Sequence, residues 1–537
     1  MINMVKKHYS LIITLGVLWT TVAMLVFVSI RNNQGYFVYA LDDPYIHMSI
    51  AKTFSQHAVW GVNKYHFASA TSSPLWTLLI SLIYFLFGAN ELSPFILNMG
   101  FATLLILGIY ILLRKHTSNT LLTLIILLSI VFFTPLPPLM FTGQEHTMHT
   151  LITILFVYLS AKILSDERPA LIRYFLLLVL GLLLALTRYE SLLLILVVCF
   201  LFVLRRRFLH SMFLGGICFL PIAIYGGISI ANGWYFLPNP VLLKGNLPNP
   251  SSLSSIVAFF FYGCQLLVMN SHILSLLIGT LIIFVFHYAK HGRAWNDVTI
   301  MIAVYIAITL LHVQFARTGW FYRYEAYLMA LGILIIGISL HEYLPDKLQF
   351  EINRNQMPKY TALALLVSLV ILPFAQRGFE SLKQTPQATT NIYEHQYQMG
   401  LFLRSFYQGE AVAANDIGAI NYLADINCLD LVGLASMEVA RAKKEGHYDV
   451  PQRRKLAKLK KTKIAIVDDS LADYFGGLPS EWLKVGEWRI PNNVVCADDT
   501  ISFYAVDAKE ADRLVKHLEA FSSVLPKDVA QTNVCIQ

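Results

Sequence analysis

Residues 11–30 form an unbroken apolar run, and runs of similar character recur along most of the chain. About 20 residues of helix cross the roughly 30 Å hydrocarbon layer, so a run of this length can span a bilayer while satisfying its own backbone hydrogen bonds. The first run follows Lys6 and Lys7 and lacks a small-residue cleavage site, which predicts an uncleaved anchor starting inside. Charged residues make up only 14% of the 537 and hydrophobic ones 56%, against about one quarter charged in soluble proteins. The lipid bilayer is therefore the first partner. The net charge of +8 sits largely in short loops between apolar runs, so it reads as topology and not as a nucleic-acid surface.

Residues 74–88 are short for a crossing and are expected to lie as an interfacial helix. The next run, 92–113, then returns inward and delivers Arg114, Lys115 and His116 to the inner side, as the positive-inside bias requires. Further spans are expected near residues 119–137, 147–164, 171–187, 191–204, 209–231, 272–289, 298–315, 326–341 and 359–376, about eleven crossings in all. The inner loops then hold Arg205, Arg206 and Arg207, followed by Lys290 and Arg293, and by Lys347, Arg354 and Lys359. An odd number of crossings puts the polar tail outside. The expected architecture is a polytopic α-helical membrane protein plus a C-terminal soluble α/β domain. Residues 1–378 form the transmembrane part, with 31–91 as an outer juxtamembrane loop, and 379–537 the extracytoplasmic domain. Strands are expected at 411–415, 428–432, 463–467 and within 494–506, with helices at 435–445, 452–461 and 509–521. Six cysteines show no metal-ligand spacing. A pair among Cys428, Cys496 and Cys535 is open to bridging if the tail is outside.

On this topology the ionisable residues near span ends gather on the outer face. Asp42 and Asp43 follow the first span, Glu145 precedes the fourth, and Arg188 and Glu190 flank Tyr189 between the fifth and sixth. Asn239 and Lys244 follow the seventh; Arg317, Arg323, Tyr324 and Glu325 lie between the ninth and tenth. Charges at a membrane edge are costly, and several converging on one face point to a cavity for a charged ligand. Each has a structural reading as well: Asp43 before Pro44 suits an N-cap, the glutamates suit neutralising partners for arginine, and Arg188 suits a headgroup snorkel.

The runs DDPYIHMSIAK, ASATSSPLWTLL, TGQE, RYE, LPNPVLLKG, RYEAYL and NDIGAINYLADINCLDLVGL, in that order from Asp42 to Leu434, resemble the GT-C superfamily of polyprenyl-phosphate-sugar glycosyltransferases, and within it the bacterial arabinofuranosyltransferase-like branch. The glutamine of TGQE departs from the small or apolar residue expected there. The resemblance implies a multi-pass enzyme of the bacterial cytoplasmic (inner) membrane that inverts the anomeric centre while lipid phosphate leaves. Asp42 would be the base, with Asp43 capping the helix and orienting the acceptor. Arg188, Arg323 and Lys244 would meet the phosphate, and Glu145, Tyr189, Glu190, Asn239 and Tyr324 the substrates. The donor would be a polyprenyl-phosphate sugar and the acceptor an extracytoplasmic glycan, lipid or protein, with no obligatory metal or other cofactor. A glycan polymerase or ligase using a lipid-linked donor would share this face, whereas a secondary transporter would show paired, broken helices with polar groups at the midplane.

Overall fold

The computed structural model describes residues 2–244, 253–292, 295–340, 357–474 and 476–533. Among these, six helices are long and apolar enough to cross a membrane: His8–Asn32, Ser93–His116, His146–Ser165, Phe208–Ala231, Ser271–His291 and Asp297–Phe315. Four other expected spans are shorter helices of 14 to 17 residues, Thr120–Phe133, Leu171–Thr187, Ser191–Leu204 and Ala326–Leu340. At 1.5 Å per residue they reach only about 21–26 Å. The span expected to continue to 137 stops at Phe133 because Pro135, Pro137 and Pro138 follow, and a short helix, Leu136–Phe141, restarts around them. The last expected span lies in the long helix Met357–Ile392.

One apolar helix, Leu253–Met269, was not anticipated. It joins Ser271–His291 through Asn270 and lies against the end of Asp297–Phe315, where Gln314 Nε2 donates to Phe259 O at 2.9 Å. Its run carries no flanking charge that would have assigned it a side of the membrane.

The juxtamembrane loop is built from two helices, Asp43–His57 and Pro74–Phe87, packed on each other. Pro74–Phe87 buries Trp76, Thr77, Ile80 and Tyr84 and exposes Leu78, Leu82, Phe85 and Leu86. Asp43 does not cap the first of these helices. Asp42 holds the cap position without a side-chain cap bond, and Asp43 is the first helical residue beside Pro44. The Asp43 carboxylate is drawn instead to an arginine described below.

The chain leaves the membrane helices without a loop. Met357–Ile392 runs through residues 378 and 379, widens into a π-helical turn at Tyr393–Tyr397, and continues as Gln398–Phe406. A six-stranded sheet follows: β1 Ala411–Ala414, β2 Asn427–Asp430, β3 Ile464–Val467, β4 Leu483–Arg489, β5 Thr500–Ala505 and β6 Ala530–Asn533. The order is β2-β1-β3-β5-β4-β6, with β1, β2 and β3 parallel and the remaining pairs antiparallel. Helices Met437–Lys444 and Val450–Lys460 connect β2 to β3, and Ala511–Phe521 seats Leu514, Leu518 and Phe521 in the core with Trp488 and Phe503. The expected strand within 494–506 is confined to β5, while β4 and β6 are additional. Cys428 and Cys496 are free thiols, and Cys535 lies outside the described residues.

The sheet region sits directly on the juxtamembrane loop. Its short helix Ala419–Leu423 packs on Asp43–His57, where Lys52 Nζ donates to Tyr422 O at 2.7 Å and Ser49 Oγ to Gly418 O at 3.3 Å.

Candidate active site

Two adjoining cavities lie where these parts meet. The first, of about 510 Å³, is lined by Asp42, Asp43, Arg317, Arg323 and Tyr324 on the membrane-helix side and by Gln396, Asn415, Asp416 and Cys496 on the sheet side. The second, of about 290 Å³, is lined by His47, Gln144, Arg188, Tyr189, Glu190 and Leu237. Asp43, Ile46, Arg317, Arg323, Tyr324 and Leu434 line both, so they form the shared wall.

Arg323 is placed by a loop that few sequences adopt. Gly319, Trp320, Phe321 and Tyr322 all have positive φ, and the last three have a Cβ that disfavours it. The surroundings over-determine the loop: Glu325 accepts from Gly319 N at 2.9 Å and from Arg377 Nη2 at 2.6 Å, and Arg377 also donates to Tyr322 O at 2.9 Å and Phe133 O at 3.0 Å. Strain held this way presents the next residues in one orientation. Arg323 then donates to Asp43 at 2.5 Å, to the Tyr324 hydroxyl at 3.1 Å and to the Gln144 side-chain oxygen, while its buried Nε–H has no hydrogen-bond partner among the described residues. The unexpected glutamine of TGQE is therefore an arginine holder. Gly143 beside it has φ +61°, and a Cβ there would come within 2.7 Å of the Tyr39 ring and 2.8 Å of Pro44. Glycine is what lets this turn close on the start of Asp43–His57.

Arg188 is paired differently. It donates to Glu145 at 2.6 Å and forks onto Glu190 at 2.7 and 3.2 Å. Arg188 and Glu145 are buried, whereas the Glu190 side chain is 31% exposed and lines the second cavity. Tyr324 stands between the two arginines, its ring centre 4.8 Å from the Arg323 guanidinium carbon and 5.4 Å from that of Arg188. His47 is held by Thr77 at 2.9 Å and Thr71 at 3.1 Å, which gives the ASATSSP run a structural role.

The Asp42 carboxylate crosses to the sheet region. One oxygen accepts from Gly418 N at 2.8 Å and the other from Ala419 N at 2.7 Å, at the start of helix Ala419–Leu423. A Cβ on Gly418 would fall 2.6 Å from both oxygens, so only glycine admits this approach. Burial beneath the sheet region, with Asp416 nearby, pushes the Asp42 carboxyl up to about 8 against the lowering effect of the two amides.

Of the sequence-predicted residues, Asp42, Asp43, Arg188, Tyr189, Glu190, Arg323 and Tyr324 thus come together around the cavities. Glu145 lies behind Arg188. Asn239 is buried, lines neither cavity and ties the LPNP turn down, its N–H donating to Ser69 O at 3.0 Å and its amide to Gly433 O at 2.7 Å. Lys244 ends the helix Asn239–Lys244, with its side chain outside the described residues. Arg317, grouped on this face by sequence but given no role, lines both cavities, and Asp416, which sequence reasoning did not single out, lines the first. Asp416 follows β1 in a parallel strand pair, and the carboxyl ends of such strands are where ligands collect. That position was the available signal.

Among solved structures the chain is similar to ArnT from Cupriavidus metallidurans, in its crystal structures bound to undecaprenyl phosphate and in the apo state. Each is 13% identical, has a TM-score of 0.52, and covers 92% of this chain and 99% of ArnT. The chain has the GT-C fold. It is a multi-pass membrane protein with a small sheet-containing region at its C-terminal end. The archaeal oligosaccharyltransferase AglB from Archaeoglobus fulgidus, in complex with an inhibitory peptide and a dolichol-phosphate, matches at 12% identity with a TM-score of 0.46, over 94% of this chain and 75% of AglB. A family model described as a domain of unknown function (DUF8728) matches residues 390–504. No curated protein matches the chain.

Proposed function

We propose that the protein is an inverting glycosyltransferase that moves a monosaccharide from a polyprenyl-phosphate donor to an acceptor hydroxyl on the outer face of a bacterial inner membrane. The observation that carries this is the pair of cavities sharing one wall of Asp43, Arg317, Arg323 and Tyr324. On a fold that in ArnT is seen with undecaprenyl phosphate, the second cavity suits a lipid phosphate and the first an acceptor.

In this reading the acceptor oxygen attacks the anomeric carbon, the bond from that carbon to the phosphate oxygen breaks, and polyprenyl phosphate departs with the electron pair. Asp42 takes the hydroxyl proton. It lines the acceptor cavity, and each carboxylate oxygen accepts one hydrogen bond from a backbone amide, which fixes its direction. Asp43, drawn to Arg323, tunes that guanidinium instead. Charge grows on the departing phosphate, so cations on the shared wall contribute more in the transition state than in the ground state. Arg323 and Arg317 meet that charge, with Arg188 supporting from the donor side. Tyr189, Glu190 and Tyr324 meet the sugar. The arabinofuranosyltransferase-like branch rests on the motif order alone.

Purified protein in nanodiscs, given a fluorescent polyprenyl-phosphate monosaccharide and an acceptor mixture, is expected to release polyprenyl phosphate and label an acceptor. Transfer of a preassembled glycan with no use of the monosaccharide would mark a polymerase or ligase. Movement of label across the membrane without transfer would mark a transporter. The sheet region is proposed to lie outside: a C-terminal alkaline phosphatase fusion should be active and a cytoplasm-only reporter silent, and the reverse result overturns the topology.

A further inference from the structure

Beside the acceptor cavity, three residues from three separate elements converge. His395 comes from the π-helical turn that leads out of the membrane helices, Asp416 follows β1, and Asp468 follows β3. One ligand-type atom from each lies within 4.8 Å of the others. His395 and Asp468 are each 1% exposed, whereas Asp416 is half-buried and lines the cavity.

His395 has no hydrogen-bond partner at either ring nitrogen among the described residues, and its Nε2 faces Asp468 Oδ1 at 3.9 Å. A buried imidazole left in that condition is costly unless something else meets it. The carboxylates are aimed by neighbours. Asn415 Nδ2 donates to Asp468 Oδ2 at 3.0 Å and receives the Asp468 N–H on its own oxygen at 3.0 Å, while Gln396 Nε2 donates to Asp416 Oδ2 at 2.8 Å. Orienting contacts of this kind to ligating carboxylates are what a metal site requires around its first ligands. Asp468 makes no ion pair with Lys or Arg among the described residues, so no lysine or arginine there balances a buried carboxylate.

We propose that His395, Asp416 and Asp468 bind one divalent first-row metal ion of the zinc or manganese type at the edge of the acceptor cavity. One imidazole and two carboxylates suit such ions better than calcium or magnesium, which favour all-oxygen sets. Three protein ligands leave a coordination position for water or a hydroxyl, and Asp416 puts the open side toward the cavity. Bound there, the ion ties the helix leaving the membrane to the carboxyl edge of the sheet. The ligand atoms are dispersed through the sequence with no regular spacing, so only the fold assembles them.

The site stands on its own ligand set, whatever group the cavity transfers, and its test reads metal and not turnover. Full-length protein stripped by chelator, dialysed against micromolar zinc or manganese and measured by plasma mass spectrometry should hold about one equivalent per chain. His395→Ala and Asp468→Asn should lose it. Asn415→Ala, which removes the support of Asp468 and no ligand atom, should lower affinity by about 10–100-fold. Wild-type protein that retains neither ion in stoichiometric amount, or variants that bind as the wild type does, would overturn the site.

Discussion

The two arginines on either side of Tyr324 show how one residue type serves two ends. Arg188 is closed off: two glutamates take its guanidinium, one of them buried, and the trio carries a net charge of −1. Arg323 has a single carboxylate, two neutral acceptors and an unpartnered N–H, and it stands on the wall between both cavities. A phosphate approaching Arg188 must compete with Glu190, whereas at Arg323 it meets a cation less fully committed. Sequence position alone gives both the same role; the pairing separates a brace from a contact.

The largest expected effect on stability breaks the brace. Arg188→Ala leaves Glu145 buried beside Glu190 without its cation, and removing one partner of a buried pair costs about 3–5 kcal/mol. Chemical unfolding of the detergent-solubilised variant should show this loss, and the double variant with Glu145→Gln should recover part of it. A drop under about 1 kcal/mol, the range of exposed pairs, would make Arg188 a solvated residue and erase the contrast.

Next in size is Gly418→Ala. Its Cβ strikes the Asp42 carboxylate, and displacement of a catalytic group by about 1 Å can cost up to about 100-fold in rate. Turnover should fall about ten- to a hundredfold with donor affinity nearly unchanged. A matching fall in donor affinity would mean that the two cavities are not separate in function. Smaller again is Arg323→Ala. One charge-assisted contact to phosphate contributes about 1.5–3 kcal/mol, so donor binding should weaken tenfold or more, with a smaller loss of stability than for Arg188→Ala. Unchanged donor affinity would move the phosphate elsewhere on the wall.

The helical half was legible because burial in lipid demands long apolar runs, and every expected span contains a helix. Leu253–Met269 escaped because an apolar run without flanking charge carries no sidedness. In the sheet, β1, β2 and β3 are short buried strands that hydrophobicity reveals, whereas β4 breaks its alternation at a register shift between Lys484 and Gly486, and the polar AQTN of β6 pairs only along the flank of β4. The site residues could be collected by face but not paired. Asp43 meets Arg323 across 280 positions and Asp42 meets Gly418 across 376, and no local pattern encodes either contact. The capping role expected for Asp43 failed for this reason: a distant guanidinium outcompetes a local amide.

If Asp42 performs the proton transfer while the donor is bound elsewhere, parallel measurement of turnover and donor affinity for Asp42→Asn and Asp43→Asn in the same nanodiscs will separate the two roles. Asn preserves the shape of Asp42 but cannot take up the hydroxyl proton, so turnover should fall by about 10²–10⁴-fold with donor affinity retained. Asp43→Asn, which only loosens Arg323, should cost about tenfold or less. An active Asp42→Asn variant, or one that is inactive because it no longer binds donor, would contradict the account.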